Sequence, residues 1–126
     1  LRPGVKGLSE NIKVHSVVGR FLEHHRIFYF YADGEEKVYL SSADWMERNF
    51  FRRIEICFPI LDSKLKRRVI KEGLRVYLND NAQSWSMNNE GEYEIRPSRR
   101  NRTVAQELLL NELTGLALPD DQETAE

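Results

Sequence analysis

Apolar positions along this chain fall into short runs separated by turn-forming and charged stretches, and the spacing inside each run predicts its element. Residues 12–18 alternate weakly and carry three valines, which favours a short strand; Gly19 breaks it, and residues 20–23 fit a single helical turn. Residues 27–31 and 37–40 are rich in aromatic and β-branched side chains, and Asp33 and Gly34 lie between them. This predicts a hairpin, because an Asp-Gly pair supplies the positive backbone angles of a tight turn. With a loop of two to four residues there, residues 24–26 fall beside residues 41–44. Residues 53–59 read as another strand, buried in its second half and stopped by Pro59. Asp62 or Ser63 then caps a helix whose Leu65, Val69, Leu74 and Leu78 follow helical spacing. Residues 79–98 are polar and irregular, with short strands expected at 84–87 and 92–95. Thr103 and Gln106 match a capping box that opens a last helix through Val104, Ala105, Leu108, Leu109 and Leu113, ending before Gly115.

Composition limits what this string of elements can be. With 126 residues and 40% apolar content the chain suits one domain around one core, read as residues 1–118 followed by an acidic tail over 119–126 that is expected to fray. Nineteen basic against twenty acidic residues leave a net charge of −1, so total charge points to neither a nucleic-acid nor a membrane-surface partner. Cys57 is the only cysteine, which excludes an internal disulfide and a cysteine-built metal site and suits a reducing compartment. No apolar run approaches the roughly 18–20 residues that cross a bilayer, and no signal pattern opens the chain, so a soluble, cytoplasmic protein is expected. Leu1, Arg2, Pro3 and Gly4 enter directly into a loop-like stretch without an initiator methionine, as in a piece cut from something longer.

Candidate chemistry concentrates at residues 20–26. An imidazole takes or gives a proton near neutral pH, and a guanidinium clamps phosphate oxygens in pairs. In a strand that starts at His24, His24 and Arg26 share a face. Adjacent histidines and arginines also simply decorate strand ends. The hairpin register raises their interest by laying Ser41, Ser42 and Asp44 alongside, adding hydroxyls and a carboxylate able to orient the histidine or an arginine. Arg53 stands at the entrance of a strand, with Glu55 two residues on to fix it from the same face. Arg48 and Arg52 read as solvated surface charges.

Two basic clusters remain. Lys64, Lys66, Arg67 and Arg68 occupy the first turns of a helix, where the helix dipole does not favour them, and a solvated face is the plainer reading over polyanion contact. Arg96, Arg99, Arg100 and Arg102 precede a helix N-terminus and rank above them as an anion site. His15 reads as structural. There is no Gly-rich phosphate loop, nucleophile elbow or His-Glu-x-x-His motif, so any phosphate chemistry must rest on side chains.

Residues 7–12 (GLSENI), 20–24 (RFLEH), 41–46 (SSADWM) and 48–49 (RN) resemble the C-terminal region of the long-chain polyphosphate kinases. The likeness continues through residues 53–55 (RIE) and 78–81 (LNDN) and spans about residues 1 to 115. It implies an enzyme that reversibly moves the terminal phosphate of ATP onto polyphosphate, with Mg²⁺, through a phosphohistidine. That histidine would lie in a preceding domain outside this chain, as would the Mg²⁺ ligands, and the segment alone would be inactive. The implied fold is α/β in the mixed α+β sense: an incomplete phospholipase-D-like half-domain, with a mixed sheet, a hairpin and flanking helices. His24 and Arg26 would mirror the His-x-Lys motif of phospholipase D.

By the same resemblance His24 corresponds to a second active-site histidine that contacts nucleotide phosphates and assists as acid, base or transition-state stabiliser. Arg53 matches an arginine of that pocket, and Arg26 joins them as a phosphate-binding candidate. The implied partners are ATP, ADP and polyphosphate, the preceding domains of the same chain, and further copies in a homo-oligomer, with no nucleic acid; the location is cytoplasmic, with membrane association as an option. A sheet lacking the elements that precede Leu1 in the family would expose a strand edge able to pair with a neighbouring copy. The alternatives are a noncatalytic phosphate- or polyphosphate-binding module and a phospholipase-D-like phosphodiesterase.

Overall fold

The computed structural model describes residues 1–95 and 101–115. Along them run β1 (His15–Val17), β2 (Arg26–Ala32), β3 (Glu35–Ser41), α1 (Glu47–Arg52), β4 (Cys57–Pro59), α2 (Ser63–Ile70), one turn of π-helix (Lys71–Arg75), α3 (Val76–Leu78), β5 (Ser84–Met87), β6 (Tyr93–Ile95) and α4 (Ala105–Thr114). The arginines at 96, 99 and 100 and the acidic tail over 119–126 lie outside the described residues. The chain gathers into two compact units, one formed by Leu1–Phe21 with Tyr77–Glu126 and the other by Leu22–Val76.

In the Leu22–Val76 unit the expected hairpin forms. Asp33 and Gly34 both take positive φ, 50° and 80°, and the register runs from Arg26 opposite Ser41 to Ala32 opposite Glu35. β4 adds antiparallel to β3, with Cys57 opposite Ser41. Val38, in the central strand, is buried, as is Ile70 of α2. Asp62 supplies the α2 cap by accepting from the Lys64 and Leu65 amides, both at 2.8 Å. The strand expected over 53–59 is shorter and less covered than its pattern suggests. Only Cys57–Pro59 join the ladder, and Ile54 is 100% and Phe58 48% exposed, because β4 is an edge strand paired on one side only.

The helical stripe also departs from expectation. Ile70 and Val76 are the buried positions, whereas Leu65 and Leu78 are exposed. A wide turn, marked by the Val76 amide bonding to Lys71 O, interrupts the regular 3.6-residue line. Gly73 sits inside it, and a Cβ at that position would collide with Ile27 Cδ1, so the missing side chain lets β2 approach.

The other unit holds the second sheet, in the order β1-β5-β6, and α4. Its pairings, like those of the first sheet, are antiparallel, so the α+β class is as expected, but two small antiparallel sheets replace one mixed sheet. The β2–β3 and β5–β6 connections are too short for the crossover that parallel pairing needs. His15 finds a cross-strand partner in Ser86, Nδ1 to Oγ 3.0 Å.

Two local expectations fail here, and the side chain of Gln106 enters into both. The capping box does not form: Val104 is the N-cap residue without a side-chain cap, and the Ala105 amide donates instead to Asp80 Oδ2 at 2.8 Å. Gln106 turns to the Phe21 peptide, accepting its N–H and donating to its C=O. With those backbone groups committed, residues 20–23 form no helical turn. Asn81 reinforces the arrangement, its Oδ1 accepting the Thr103 amide at 2.7 Å and its Nδ2 donating to Asn101 O at 3.1 Å. Gly115 ends α4 in the left-handed conformation, φ 66°.

Candidate active site

Strand β2 begins at Arg26 rather than His24, so His24 stands in the entry loop, exposed, and shares no strand face with Arg26. A side-chain bracket joins the two instead. Arg26 donates from Nε (2.9 Å) and Nη2 (2.7 Å) to Asp44 Oδ1, and from Nη1 to the main-chain oxygen of His24 at 2.8 Å. Three of the five guanidinium N–H groups are thereby used, and two are left without a hydrogen bond among the described residues. The arginine side chain is 19% exposed, so this is a partly sheltered, charge-assisted pair.

Hydrogen bonding from Arg26, opposed by desolvation and aided by the charges of Arg26, His24 and Arg48, holds the Asp44 carboxyl below the usual carboxylate range. A depressed carboxyl stabilises the fold above its unfolded-state pKa, and that contribution is lost as pH falls through the lower folded value. Acid unfolding of Asp44→Asn, followed by circular dichroism below about pH 4, should therefore show a weaker pH dependence than the parent chain. An unchanged acid limb would count against the bracket.

Residues 41–44 form the scaffold of this corner. Ser41 Oγ accepts the Ala43 amide at 3.1 Å, and the buried Asn49 donates from Nδ2 to Asp44 O at 3.0 Å. Ser42 Oγ donates to Glu55 Oε2 and accepts the Ile56 amide at 3.0 Å, while the Ser42 amide donates to Ile56 O at 3.0 Å. The two serine hydroxyls thus tie the corner to itself. Glu55 turns to Ser42 and forms no ion pair with Arg53 among the described residues, so the expected Glu55 brace on Arg53 is absent; Arg53 is exposed, on extended backbone.

The register still collects the predicted residues. Arg26 faces Ser41, Ser41 faces Cys57, and Arg53 lies on the segment tied to Ser42, so His24, Arg26 and Arg53 belong to one end of one sheet. His25 points elsewhere: its Nε2 lies 3.3 Å from Gly73 O and its Nδ1 3.4 Å from Glu23 Oε2, so each ring nitrogen faces an acceptor. The cluster on α2 is partly spent within the fold, since Lys66 donates to Glu36 O at 3.0 Å and Arg68 pairs with Glu72 at 2.7 Å. Sequence reasoning gave Asn49 no role beyond the likeness at residues 48–49, although its buried side chain braces Asp44. Among the described residues no three His, Cys, Asp or Glu side chains gather where a metal ion could be held, and no helix is long and apolar enough to cross a membrane.

With this geometry in hand the relatives can be compared. Residues 1–107 match the family described as Polyphosphate kinase C-terminal domain 2. The chain belongs to this polyphosphate kinase domain family. It is 62% identical over 110 residues to a polyphosphate kinase of Paraburkholderia phytofirmans, covering 86% of this chain and 16% of that protein. It is 65% identical over 104 residues to one of Burkholderia multivorans, covering 82% of this chain and 15% of that protein. The crystal structure of polyphosphate kinase from Porphyromonas gingivalis matches 85% of this chain and 16% of that one, at 36% identity and a TM-score of 0.78. The chain thus spans about a sixth of the polyphosphate kinases it matches, and the motifs at residues 7–12, 20–24, 41–46, 48–49, 53–55 and 78–81 all lie within the family match.

Proposed function

We propose that this chain supplies one wall of the phosphoryl-transfer site of a polyphosphate kinase, which reversibly moves the terminal phosphate of ATP to polyphosphate through a phosphohistidine carried by a preceding domain. The observation that carries this reading is the bracket in which Asp44 holds Arg26 and Arg26 holds the His24 main chain, at the same sheet end as Arg53. A loose, metaphosphate-like transition state asks for positioned positive charge and hydrogen-bond donors around its oxygens more than for covalent work. Exposed His24 would meet the phosphate oxygens and move a proton there, Arg53 would neutralise their charge, and Arg26 would lend its two remaining N–H groups while keeping His24 in place.

Mg²⁺ would take its protein ligands from the preceding domains, since among the described residues no three His, Cys, Asp or Glu side chains gather to hold it. Preceding domains of the same polypeptide are the proposed protein partner. The solvent-facing Trp45, Phe51, Ile54 and Leu61 support this, because apolar side chains exposed in such number mark an interaction surface.

ATP-dependent formation of polyphosphate by a full-length kinase carrying this sequence tests the reading. Synthesis supports it; phosphate-polymer binding without synthesis would indicate a noncatalytic module, and diester hydrolysis without ATP a phosphodiesterase. The chain alone is expected to bind polyphosphate weakly and in a salt-sensitive manner. Arg53→Ala should lower that affinity about tenfold, within the range of a lost charge-assisted contact, and unchanged binding at low salt would remove Arg53 from the site.

A further inference from the structure

Helix α1 buries an amide where packing alone would bury a ring. Of Glu47–Arg52 only Asn49 is buried, at 4% exposed, whereas Phe50 and Phe51 are 57% and 81% exposed. Hydrophobic burial would turn a phenylalanine inward and leave the carboxamide in water. The inward carboxamide is also only half used. Its Nδ2 donates to Asp44 O at 3.0 Å, while its buried Oδ1 makes no hydrogen bond among the described residues. A buried acceptor without a partner costs about as much as a good hydrogen bond gains, so stability gives little reason for asparagine over leucine at this place. What leucine could not supply is the donor to Asp44.

That donor fixes the far end of the bracket. The Asp44 main-chain oxygen accepts from Asn49 Nδ2 and from the Met46 amide at 2.8 Å, and its Oδ1 accepts from Arg26 Nε and Nη2. Arg26 Nη1 in turn holds the main-chain oxygen of His24. Asn49, Asp44, Arg26 and His24 all belong to the Leu22–Val76 unit, so the relay runs inside one unit. Trp45 and Met46, which follow Asp44, are exposed, and a loop with so little burial of its own takes its geometry from such bonds. We infer that Asn49 is a positioning residue for His24, acting through Asp44 and Arg26. Without its donor the Asp44 peptide is free to shift, and the carboxylate, the guanidinium and the His24 main chain shift in turn. A displacement of about 1 Å at a reacting group is enough to cost a hundredfold in rate.

This inference rests on the reading of His24 as an active-site histidine, and the experiment separates the two. In the full-length kinase carrying this sequence, Asn49→Leu and Asn49→Ala are made alone and in the Asp44→Ala background, beside His24→Ala, and read by ATP-dependent synthesis and by thermal melting. Leucine keeps the branched shape without the donor and alanine cannot overpack, so one remains informative if the other folds poorly. Asp44→Ala keeps the main-chain oxygen that Asn49 holds but removes the carboxylate that holds Arg26. The expected result for the Asn49 variants is an about 10- to 100-fold lower kcat with KM for ATP within about threefold, the signature of a contact realised in the transition state. In the Asp44→Ala background the same changes should have no further effect on the residual rate, since the link to Arg26 is gone, yet should shift the melting temperature as they do in the parent. A purely structural residue would not separate the two readouts. Unchanged kcat in the folded Asn49 variants, with synthesis lost in His24→Ala, overturns the positioning role alone. Rate losses fully additive with that of Asp44→Ala overturn it too. If His24→Ala itself retains full synthesis, the active-site reading falls, and with it the positioning role.

Discussion

His24→Ala is expected to reduce ATP-dependent polyphosphate synthesis by a full-length kinase carrying this sequence about a thousandfold or more, equivalent to roughly 4 kcal/mol of transition-state stabilisation. The substitution is unusually clean here. The structural bond at this position is made by the His24 main-chain oxygen, which accepts from Arg26 Nη1, and alanine keeps that oxygen. The imidazole is exposed, so its removal should change stability by no more than about 0.5 kcal/mol. A large loss of rate at constant melting temperature would therefore report chemistry at the side chain alone. His25→Ala is the matched control. That neighbour turns to Gly73 O and Glu23, so a loss of rate there should be small beside that of His24→Ala. Retention of full synthesis by His24→Ala would end the assignment.

The juxtaposition at this corner was legible because a single local feature fixes it. Asp33 and Gly34 accept positive φ, the turn sets the register, and the register brings residues 24–26 to residues 41–44 whatever the rest of the chain does. The roles inside the corner were less legible. Whether Arg26 faces a ligand or Asp44, and whether Glu55 takes Arg53 or Ser42, depends on side-chain distances that spacing along a strand leaves open; in both cases the internal partner won. The same holds for the fold. The Asp62 cap and the Gly115 stop are readable within a few residues of sequence, and both form. By contrast, the cap of α4 comes from Asp80, 25 positions away, and the local Thr103–Gln106 pattern that suggested a capping box is overridden by it. Gly73 looks like a flaw inside a helical pattern until Ile27, from a distant strand, is seen against it. Local chemistry is written in neighbouring residues; long-range competition for the same donors is not.

Asp80 is where that competition is most consequential for stability. Its carboxylate is fully buried, with Oδ1 accepting the Ala82 amide at 3.0 Å and the Gln83 amide at 2.7 Å, and Oδ2 accepting the Ala105 amide at 2.8 Å. Asp80→Ala removes every one of these acceptors at once. A buried amide left unpaired costs about 1–3 kcal/mol and a lost helix cap about 1 kcal/mol, and because the three share one carboxylate their costs overlap. A destabilisation of about 3–5 kcal/mol is expected, read as a lower urea midpoint. Loss of hydrogen-exchange protection at Ala82, Gln83 and Ala105 should accompany it.

Asp80→Asn provides the finer test. One amide oxygen can still serve the Ala82 and Gln83 amides, but its NH₂ must then face the Ala105 amide, donor against donor. The cost should fall between parent and alanine, at about 2 kcal/mol, with protection lost at Ala105 and kept at Ala82 and Gln83. Equal stability of the asparagine variant and the parent would show that the Oδ2 bond to Ala105 does not hold α4. Because Ala105 adjoins Gln106, the asparagine variant should also loosen the Gln106 bonds to the Phe21 peptide. Asp62→Ala, which uncaps α2 in the other unit, should lower stability while protection at Ala105 is kept.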